Sequence, residues 1–475
     1  MTPDEFRAAG HALIDWIAAY RERVARGEFP VMARVAPGEI LAQVAGPPPE
    51  DGEPFEHILR DLEQTILPGI THWQDPRFFG FFPAAASLES VLGDLASTGL
   101  GVIGLNWQAS PALTELEQAT TDWIRDLLGV PPTFSGVVTD TASAASFVAL
   151  VCARERSTAY AAAGDGLQGH VQRLAVYTSA QAHSSVEKAA LLAGFGRRQV
   201  RLVPVDAQYR MDAAALARMV AHDRAQGMLP CAVVATSGTT ATTAFDPLRP
   251  IAELAQREGL WLHVDGAMGG VAMLLPEYRH LWDGIELADS IVVNPHKWMA
   301  VAFDCSIFLV RDPQHLTRVM STNPSYLQTP MDAQVRNYRD WGIALGRRFR
   351  ALKIWFTLRS LGAAAIRARL REDIANARWL ASQAEAAAHW RVVAPVTLQT
   401  VCLRHEPPGM DADALDTHNR AWCQAVNESG QAYLTPASID GRWMVRVSIG
   451  IALTTRVHVE ALWHLVQQTA LGQRQ

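Results

Sequence analysis

The chain contains only three lysines, and one of them stands where it could act as a nucleophile. Lys297 belongs to the segment 294–298, directly after the apolar run 291–293. The remaining strong bases are arginines, whose guanidinium stays protonated and forms no Schiff base, so amine chemistry has three candidates. Open α/β sheets bind ligands beyond the carboxyl ends of their strands. A lysine after a short buried strand therefore predicts covalent chemistry with a carbonyl compound.

Further groups would complete a site for pyridoxal phosphate, a cofactor that forms a Schiff base with lysine. A helix opening at Ala142-Ser143 offers N–H groups and hydroxyls to a phosphate, although such residues also serve as ordinary caps. Asp265 ends an apolar strand, where a buried carboxylate needs a cationic partner such as a protonated pyridine nitrogen. Alternatively, Asp265 caps the turn that follows the strand. His183 is a candidate for stacking on the ring or for an ordinary surface or core position, and His296 carries the same ambiguity.

The other two lysines have simpler interpretations. Lys188 lies in a helical stretch over 185–193, where a solvated side chain is expected. Lys353 stands close to several arginines on a predicted helix, and this pattern predicts an exposed basic face. Neither is expected to take part in catalysis.

Short apolar runs alternate with helical stretches from about residue 135 to 310. This alternation predicts parallel βαβ units, so the polar residues that follow the strands should gather at one edge of one sheet. The predicted strands lie at 137–138, 174–177, 232–235, 260–264 and 291–293, and the predicted helices at 212–226 and 250–258.

Both ends of the chain differ from this central region. Residues 2–5 form a capping box that predicts a helix over 3–25, and a Pro- and Gly-rich stretch separates it from a second helical pattern at 55–66. Alternation over 442–449, preceded by an Asp440-Gly441 turn signal, predicts an antiparallel layer. We therefore expect a helical arm at 1–85, a large α/β domain at 86–354 and a small α+β domain at 355–475. The arm is expected to pack either on a partner subunit or on its own chain.

Composition excludes several functional classes. The formal charge of −6 provides no basic field to hold nucleic acid. The five cysteines contain no C-x-x-C pair, which argues against a zinc site or a disulfide framework and favours a reducing compartment. No segment has the pattern of a transmembrane helix or a signal peptide, so a cytoplasmic protein is expected.

Several ordered motifs resemble the group II pyridoxal-phosphate-dependent decarboxylases, and most closely the aromatic L-amino-acid decarboxylases of the bacterial DOPA decarboxylase type. The resemblance covers nearly the whole chain. The matching segments are 79–83, 110–117, 183–189, 262–267, 294–298, 324–327 and 345–350. The resemblance implies the pyridoxal-phosphate-dependent transferase fold (fold type I), and a homodimer with its active site at the subunit interface.

The resemblance also implies roles for individual residues. Lys297 is implied to carry the Schiff base with pyridoxal 5'-phosphate, Asp265 to pair with the pyridine nitrogen, and His183 to stack on the ring and contact the substrate. Tyr326, in a Pro-rich connection from about 320 to 336, is implied to return a proton to the substrate carbon after carbon dioxide leaves. The other positions implied to contact the cofactor are Ala142, Ser143, Thr240, Asn294 and His296.

The implied substrate pocket is apolar. Its candidate residues are Phe81, Phe82, Pro83, Ala84, Ile103, Leu105 and His183. Phe81, Ala84 and Leu105 stand where animal enzymes have a tyrosine, a threonine and a phenylalanine, and the aromatic residues could instead be ordinary core residues. Neither pocket segment contains a cation that would hold glutamate. An aromatic amino acid (DOPA, tyrosine, tryptophan or phenylalanine) is therefore the expected substrate.

The phosphate-binding turn departs from the family pattern. Asp140-Thr141 stands where many animal members have Gly-Ser, which puts a carboxylate beside the expected phosphate.

Three functions are left open by the sequence. They are a decarboxylase that releases the amine, an aromatic aldehyde synthase or aminotransferase of the same fold, and a cofactor-binding regulator without turnover. His183 and Tyr326 together favour the simple decarboxylase. An aminotransferase would need an arginine for the substrate carboxylate; Arg446 is the candidate, although its strand pattern also fits a solvated face.

Overall fold

The computed structural model describes residues 1–472, which form two compact units. The large unit comprises Ala84–Glu372 and Ala394–Thr400. The small unit comprises Met1–Pro83, Asp373–Val393 and the described residues from Val401 to 472.

The chain begins with helix α1 (Pro3–Ala25), and the predicted capping box sets its start. Thr2 Oγ1 accepts the N–H of Glu5, and the Glu5 carboxylate accepts the N–H of Thr2. Two short helices and a π-helical turn follow: α2 (Glu39–Val44), α3 (Phe55–Asp61) and Leu62–Ile66. Helix α2 was not predicted, because six residues within a Pro- and Gly-rich stretch carry too little periodicity to detect.

The end of the arm packs on its own chain within the small unit. Val31 N–H donates to the Gly430 oxygen at 2.9 Å, and Phe79 N–H donates to the Tyr433 oxygen at 2.9 Å. The ring of Phe78 stacks on Tyr433 with a centroid separation of 5.2 Å. This part of the arm therefore packs on its own chain, which is one of the two arrangements that the sequence left open.

Seven strands in the large unit form one sheet, and helices connect most of them. The strands are β1 (Ser135–Thr139), β2 (Leu174–Ser179), β3 (Val200–Val203), β4 (Leu229–Thr236), β5 (Trp261–Asp265), β6 (Ser290–Val293) and β7 (Ser306–Val310). The helices from α4 onward are α4 (Leu88–Leu100), α5 (Pro111–Leu128), α6 (Ala142–Ser157), α7 (Ala161–Asp165), α8 (Ser185–Leu192), α9 (Ala213–Ala225), α10 (Leu248–Glu258), α11 (Pro313–Met320) and α12 (Ala351–Ala386), with a kink at Gly362. The five predicted strands and both predicted helices are all present.

The sheet order is β1-β7-β6-β5-β4-β2-β3, and all pairings except those of β7 are parallel. The sequence did not predict β7, which runs antiparallel to both β1 and β6. No α-helix lies between β6 and β7, so the chain returns directly instead of crossing over. Because β1 and β6 both oppose β7, β1 is parallel to the rest of the sheet. Its carboxyl end therefore lies at the same edge as the other parallel strands.

A second, antiparallel sheet forms in the carboxyl-terminal part, as predicted. Its strands, in the order β10-β11-β9-β8, are β8 (Trp390–Val392), β9 (Thr400–His405), β10 (Thr435–Ile439) and β11 (Arg442–Ser448). Helices α13 (Ala412–Ser429) and α14 (Arg456–Gly472) complete this part, and α13 packs on β11. Arg446 on β11 is buried, so the solvated face considered for it is wrong. Among the helices of residues 1–472, none has the length and apolar character needed to span a membrane.

Candidate active site

The polar residues predicted to gather at one sheet edge do so. Strand β1 ends at Thr139, β5 ends at Asp265, and β6 ends at Val293, directly before Asn294. Asp265 pairs in register with Val292 of the neighbouring parallel strand. The carboxyl ends of these strands thus bring distant parts of the sequence together.

The turn between β1 and α6, residues 139–143, is called the phosphate turn below. Thr141 caps α6 by accepting the N–H of Ala144 at 3.4 Å, and Ser143 in the first helical turn is exposed. The first N–H groups of a helix have no intrahelical acceptor and carry a positive partial charge. The start of α6 is therefore suited to an anion, even though Thr141 also acts as an ordinary cap.

The Asp140 carboxylate is directed back onto its own turn. Its Oδ1 accepts the N–H of Thr141 at 2.7 Å and lies 3.0 Å from the hydroxyl of Thr139. The Asp140 carboxylate, which the family pattern lacks, is thus hydrogen-bonded to neighbouring residues of its own turn.

Asp265 has a nearly buried carboxylate, with 4% of the residue exposed. Its Oδ1 accepts the N–H of Ala267 at 3.1 Å, so the turn-capping interaction considered as an alternative is present. This bond involves only one of the two carboxylate oxygens. A carboxylate in such a position still favours a cationic partner.

His263 lies two residues before Asp265 and is completely buried. Its Nδ1 lies 2.9 Å from the Ser290 hydroxyl and its Nε2 lies 3.2 Å from the Ser146 hydroxyl. It therefore links β5 to β6 and to the first turns of α6. Burial lowers the pKa of His263 to about 4, which keeps the ring neutral at neutral pH. Sequence reasoning did not select this residue, because a histidine within an apolar strand gives no sign of its partners.

Lys297 is half-buried in the turn that follows β6. The N–H of Lys297 donates to the Asn294 oxygen at 3.0 Å, and the N–H of Asn294 donates to the Ala267 oxygen at 3.2 Å. The Asn294 side-chain oxygen accepts the hydroxyl of Ser306 at 2.7 Å. These bonds hold the turn with the lysine against the neighbouring strands.

His296 is buried beside the lysine. The N–H of Cys305 donates to His296 Nδ1 at 2.9 Å, so the neutral ring carries its proton on Nε2. Burial, and then the charge of Lys297, lowers the pKa of His296 to about 4. The ring is consequently uncharged at neutral pH.

His183 lies within electrostatic range of both Lys297 and Asp265. Burial lowers the pKa of His183, the charge of Lys297 lowers it further, and Asp265 acts in the opposite direction. The N–H of Ser185 donates to His183 Nδ1 at 3.2 Å, which places the proton of the neutral ring on Nε2. The structure thus brings together the lysine, the carboxylate and the histidine.

The loop after β4 carries Thr240, which is half-buried. Gly238 in this loop has a φ of 92°, and a Cβ there would lie 2.8 Å from the backbone nitrogen of Gly269. Glycine is therefore required at that position. Asp246 holds the base of the loop by accepting the N–H of Thr236 at 2.7 Å, and burial raises the pKa of Asp246 to about 6.

The pocket candidates of the small unit form an aromatic cluster. The Phe81 ring is 45% exposed and stacks on Trp73 with a centroid separation of 5.4 Å. Arg446 places its guanidinium 4.8 Å from the Phe82 ring centroid, and Pro83 is buried. Phe81 is therefore not an ordinary core residue.

The pocket candidates of the large unit include a short segment before α5, residues 103–105, called the wall segment below. Ile103 is 59% exposed, and Leu105 is half-buried. The N–H of Gly104 between them donates to the Arg347 oxygen at 2.9 Å. Ala84 is half-buried at the start of the unit. Ile103 thus presents an apolar side chain to solvent within this chain.

Tyr326 lies on an irregular connection and is 75% exposed. The connection is held close to the wall segment: the Asn106 amide lies 3.4 Å from the Leu327 oxygen, and the N–H of Trp107 donates to the Asn337 side chain at 2.9 Å. The tyrosine is therefore carried by a segment anchored at its base and exposed at its tip.

The exposed basic face predicted for Lys353 is wrong. The residue is completely buried, and its ammonium donates to the oxygens of Asp304 at 3.0 Å and Ala302 at 3.3 Å. The Asp94 carboxylate lies 3.4 Å away. A helical pattern cannot show acceptors supplied by distant segments. Lys188 is exposed on α8, as predicted.

Comparison with known proteins identifies the family. A family model described as the pyridoxal-dependent decarboxylase conserved domain matches residues 37–406. The chain belongs to this decarboxylase family. The match confirms the family that the motifs indicated.

Individual relatives resemble this decarboxylase over their full length. It is 37% identical to tryptophan decarboxylase TDC2 of Camptotheca acuminata, with 99% of this chain and 95% of the relative covered. It is 35% identical to phenylacetaldehyde synthase of Arabidopsis thaliana, with 99% and 96% covered. The crystal structure of Oryza sativa TDC with PLP and tryptamine has a TM-score of 0.96 at 34% identity, covering 100% of this chain and 99% of that one. The predicted fold class is confirmed.

The residues at the sheet edge fit pyridoxal phosphate. A half-buried amine at Lys297 suits the carbonyl, a nearly buried carboxylate at Asp265 suits a protonated ring nitrogen, and the start of α6 suits the phosphate. All three lie in the large unit. This decarboxylase therefore has the groups that its family's cofactor requires.

Proposed function

We propose that this chain is a pyridoxal-phosphate-dependent carboxy-lyase that converts aromatic L-amino acids to their amines and carbon dioxide. The observation that carries the proposal is the grouping of Lys297, Asp265 and His183 at one sheet edge. The full-length similarity to a tryptophan decarboxylase supports the same substrate class.

The cofactor supplies a carbonyl that links covalently to an amine and a ring that accepts an electron pair from the substrate carbon. Lys297 would provide the amine that holds the cofactor. Asp265 would stabilise a positive charge at the ring nitrogen. The remaining cofactor contacts are assigned to Ala142, Ser143, Thr240, Asn294 and His296.

We assign His183 to stack on the cofactor ring and to contact the substrate. Its lowered pKa favours the neutral form, so it adds no second positive charge beside Lys297. Because Ser185 donates to Nδ1, the neutral ring offers its Nε2–H as a donor.

Tyr326 is assigned to return a proton to the substrate carbon after carbon dioxide has left. A phenol on a connection that is anchored at its base can reach the site when the connection closes over it. The exposure of Tyr326 is consistent with an open position of this lid.

The pocket lining supports an aromatic side chain. Phe81, Phe82 and Pro83 supply apolar surface from one segment, and Ala84, Ile103 and Leu105 supply it from the next. Neither segment contains a cation that would hold a second carboxylate, so glutamate is a poor substrate. We assign to these lining residues the choice among DOPA, tyrosine, tryptophan and phenylalanine.

We propose that the protein is a homodimer with the active site at the subunit interface. Ile103 in the wall segment is largely exposed, and helix α4 exposes a stripe of leucines at helical spacing, Leu88, Leu92 and Leu95. Apolar surface of this kind favours contact with another protein surface. A second subunit covering it would complete the pocket.

A cytoplasmic location is also proposed. All five cysteines lie within residues 1–472, where each is buried and none forms a disulfide. Buried cysteines without disulfides are typical of a reducing compartment.

The deciding experiment is incubation of the purified protein with pyridoxal phosphate and each of the four aromatic amino acids. Carbon dioxide, amine and aldehyde are measured together. We expect carbon dioxide and amine in equal amounts. Lys297→Ala should abolish turnover and the visible absorption of the bound cofactor, and Lys188→Ala, at an exposed lysine, should change neither. Cofactor absorption with neither carbon dioxide release nor transfer of the amino group to an added keto acid would instead indicate a regulator without turnover.

A second candidate function is aromatic aldehyde synthesis. The similarity to a phenylacetaldehyde synthase at 35% identity favours this alternative. Aldehyde in place of amine, with oxygen consumed, would identify it. An aminotransferase would instead need an added keto acid and would release no carbon dioxide.

A further inference from the structure

The open edge of strand β1 is closed by two charged side chains. Within residues 1–472, β1 is the last strand on its side of the sheet and pairs with β7 alone. On its free side, the N–H of Val138 donates to Glu117 Oε1 at 2.8 Å, and Arg347 Nη2 donates to the Val138 oxygen at 2.6 Å. The same Arg347 Nη2 lies 2.6 Å from Glu117 Oε1. The pair satisfies the backbone groups that another strand would bind.

This ion pair is buried directly before the phosphate turn. Glu117 on α5 is completely buried, and Arg347, just before α12, is 7% exposed. Val138 precedes Thr139, the first residue of the phosphate turn. Two charge-assisted bonds to one residue hold the end of β1, and with it the point from which the phosphate turn begins.

Arg347 also holds the wall segment. Its backbone oxygen accepts the N–H of Gly104 at 2.9 Å, between Ile103 and Leu105. A Cβ on Gly104 would lie 2.8 Å from the side chain of Leu113, so the segment is tightly packed at this point. One arginine therefore contacts β1 through its side chain and the wall segment through its backbone.

Stability alone is a weak explanation for this pair. Removing two charges from water is costly, and an apolar pair of similar volume is often equally or more stabilising. By contrast, a single nitrogen, Arg347 Nη2, donates to both the Glu117 carboxylate and the Val138 oxygen, and these short charge-assisted bonds fix where the end of β1 lies. We propose that Glu117 and Arg347 are positioning residues that hold the phosphate turn and the wall segment at the separation needed to bind cofactor phosphate and substrate side chain together. The inference rests on the proposed function.

The test compares Arg347→Gln with Arg348→Gln, a matched control in the neighbouring residue. Arg348 is exposed and its ion pair with Asp94 lies at the surface. Pyridoxal phosphate affinity is measured by titration of the cofactor-free protein, and kcat and KM are measured at saturating cofactor. We expect Arg347→Gln to weaken cofactor affinity and to lower kcat/KM by roughly 10²-fold, partly through KM. Arg348→Gln should resemble the wild type in both measurements.

Two further variants separate positioning from folding. Arg347→Lys keeps the charge but replaces the guanidinium with an ammonium of different reach, and we expect an intermediate cofactor affinity. The double variant Glu117→Leu/Arg347→Met removes both charges together, so no buried charge is left unpaired. If the double variant folds, as judged by circular dichroism, and recovers wild-type cofactor affinity and KM, the positioning role is overturned.

The same measurements separate the positioning role from the proposed function. If the wild type releases no carbon dioxide from aromatic amino acids, the proposed function fails. The cofactor affinities of the variants still test whether Glu117 and Arg347 position the phosphate turn. If the wild type turns over and Arg347→Gln matches Arg348→Gln in affinity and KM, only the positioning role fails.

Discussion

The wild type should lose stability as the pH falls below about 6.5, and replacing His263 with glutamine should make that loss smaller. The imidazole is buried between Ser146 and Ser290, and burial lowers its pKa to about 4. In the unfolded chain the pKa of histidine is about 6.5. Because the folded value is the lower one, this histidine contributes stability above pH 6.5 that is lost as the pH falls toward 4. The unfolded chain then binds the extra proton.

The two pKa values set the size of the effect. One pKa unit corresponds to about 1.4 kcal/mol, so lowering the pH from 7.5 to 5 should reduce the free energy of unfolding by about 2 kcal/mol through His263 alone. Glutamine keeps a side chain that hydrogen-bonds to serine but takes up no proton. His296, with its pKa also lowered to about 4, titrates in both proteins and cancels in the comparison.

The assay is the thermal unfolding midpoint of the cofactor-free protein between pH 7.5 and 5, followed by tryptophan fluorescence. The midpoint should fall less steeply in His263→Gln than in the wild type, whatever their difference at pH 7.5. His222→Gln, at an exposed position on α9, is the matched control and should leave the slope unchanged. Parallel curves for wild type and His263→Gln would refute the reasoning.

Three other variants test separate parts of the structure. Tyr326→Phe should lower amine formation by roughly 10² to 10⁴-fold or divert the product to aldehyde, measured by chromatography; unchanged amine production would contradict its role. Lys353→Met leaves a carboxylate and two carbonyls without their cation and should destabilise the fold by about 3 to 5 kcal/mol. A thermal midpoint equal to that of Lys188→Met, at an exposed lysine, would contradict this. Gly238→Ala should weaken cofactor affinity in a titration, because its Cβ would approach Gly269; wild-type affinity would show that the loop adapts.

Local features of the fold were predictable from the sequence. The capping box identified the start of α1, and the Asp440-Gly441 signal identified the turn between β10 and β11. Both depend on residues within a few positions of each other, so their physical cause is contained in a short segment. Apolar runs located five of the seven strands in the large sheet for the same reason.

Features that depend on long-range packing were not predictable in this way. Strand β7 pairs antiparallel with β1, and nothing within 306–310 specifies its partner or direction. Arg446 alternates with apolar residues as a solvated side chain would, yet it is buried in the small unit over the Phe82 ring. The alternation of residue types along a strand shows which side chains share a face. Whether that face is buried depends on the elements that pack against it.

The sequence by itself determined which residues are candidates for the chemistry. Lys297 and Asp265 could be proposed because residue type and position at a strand end are both properties of a short segment. The tertiary structure alone decided how these groups are held. His263 meets Ser146 from 117 residues away, and Arg347 meets Glu117 from 230 residues away. Such partners are chosen by the packing of whole elements, and only the folded chain brings their atoms within hydrogen-bonding distance.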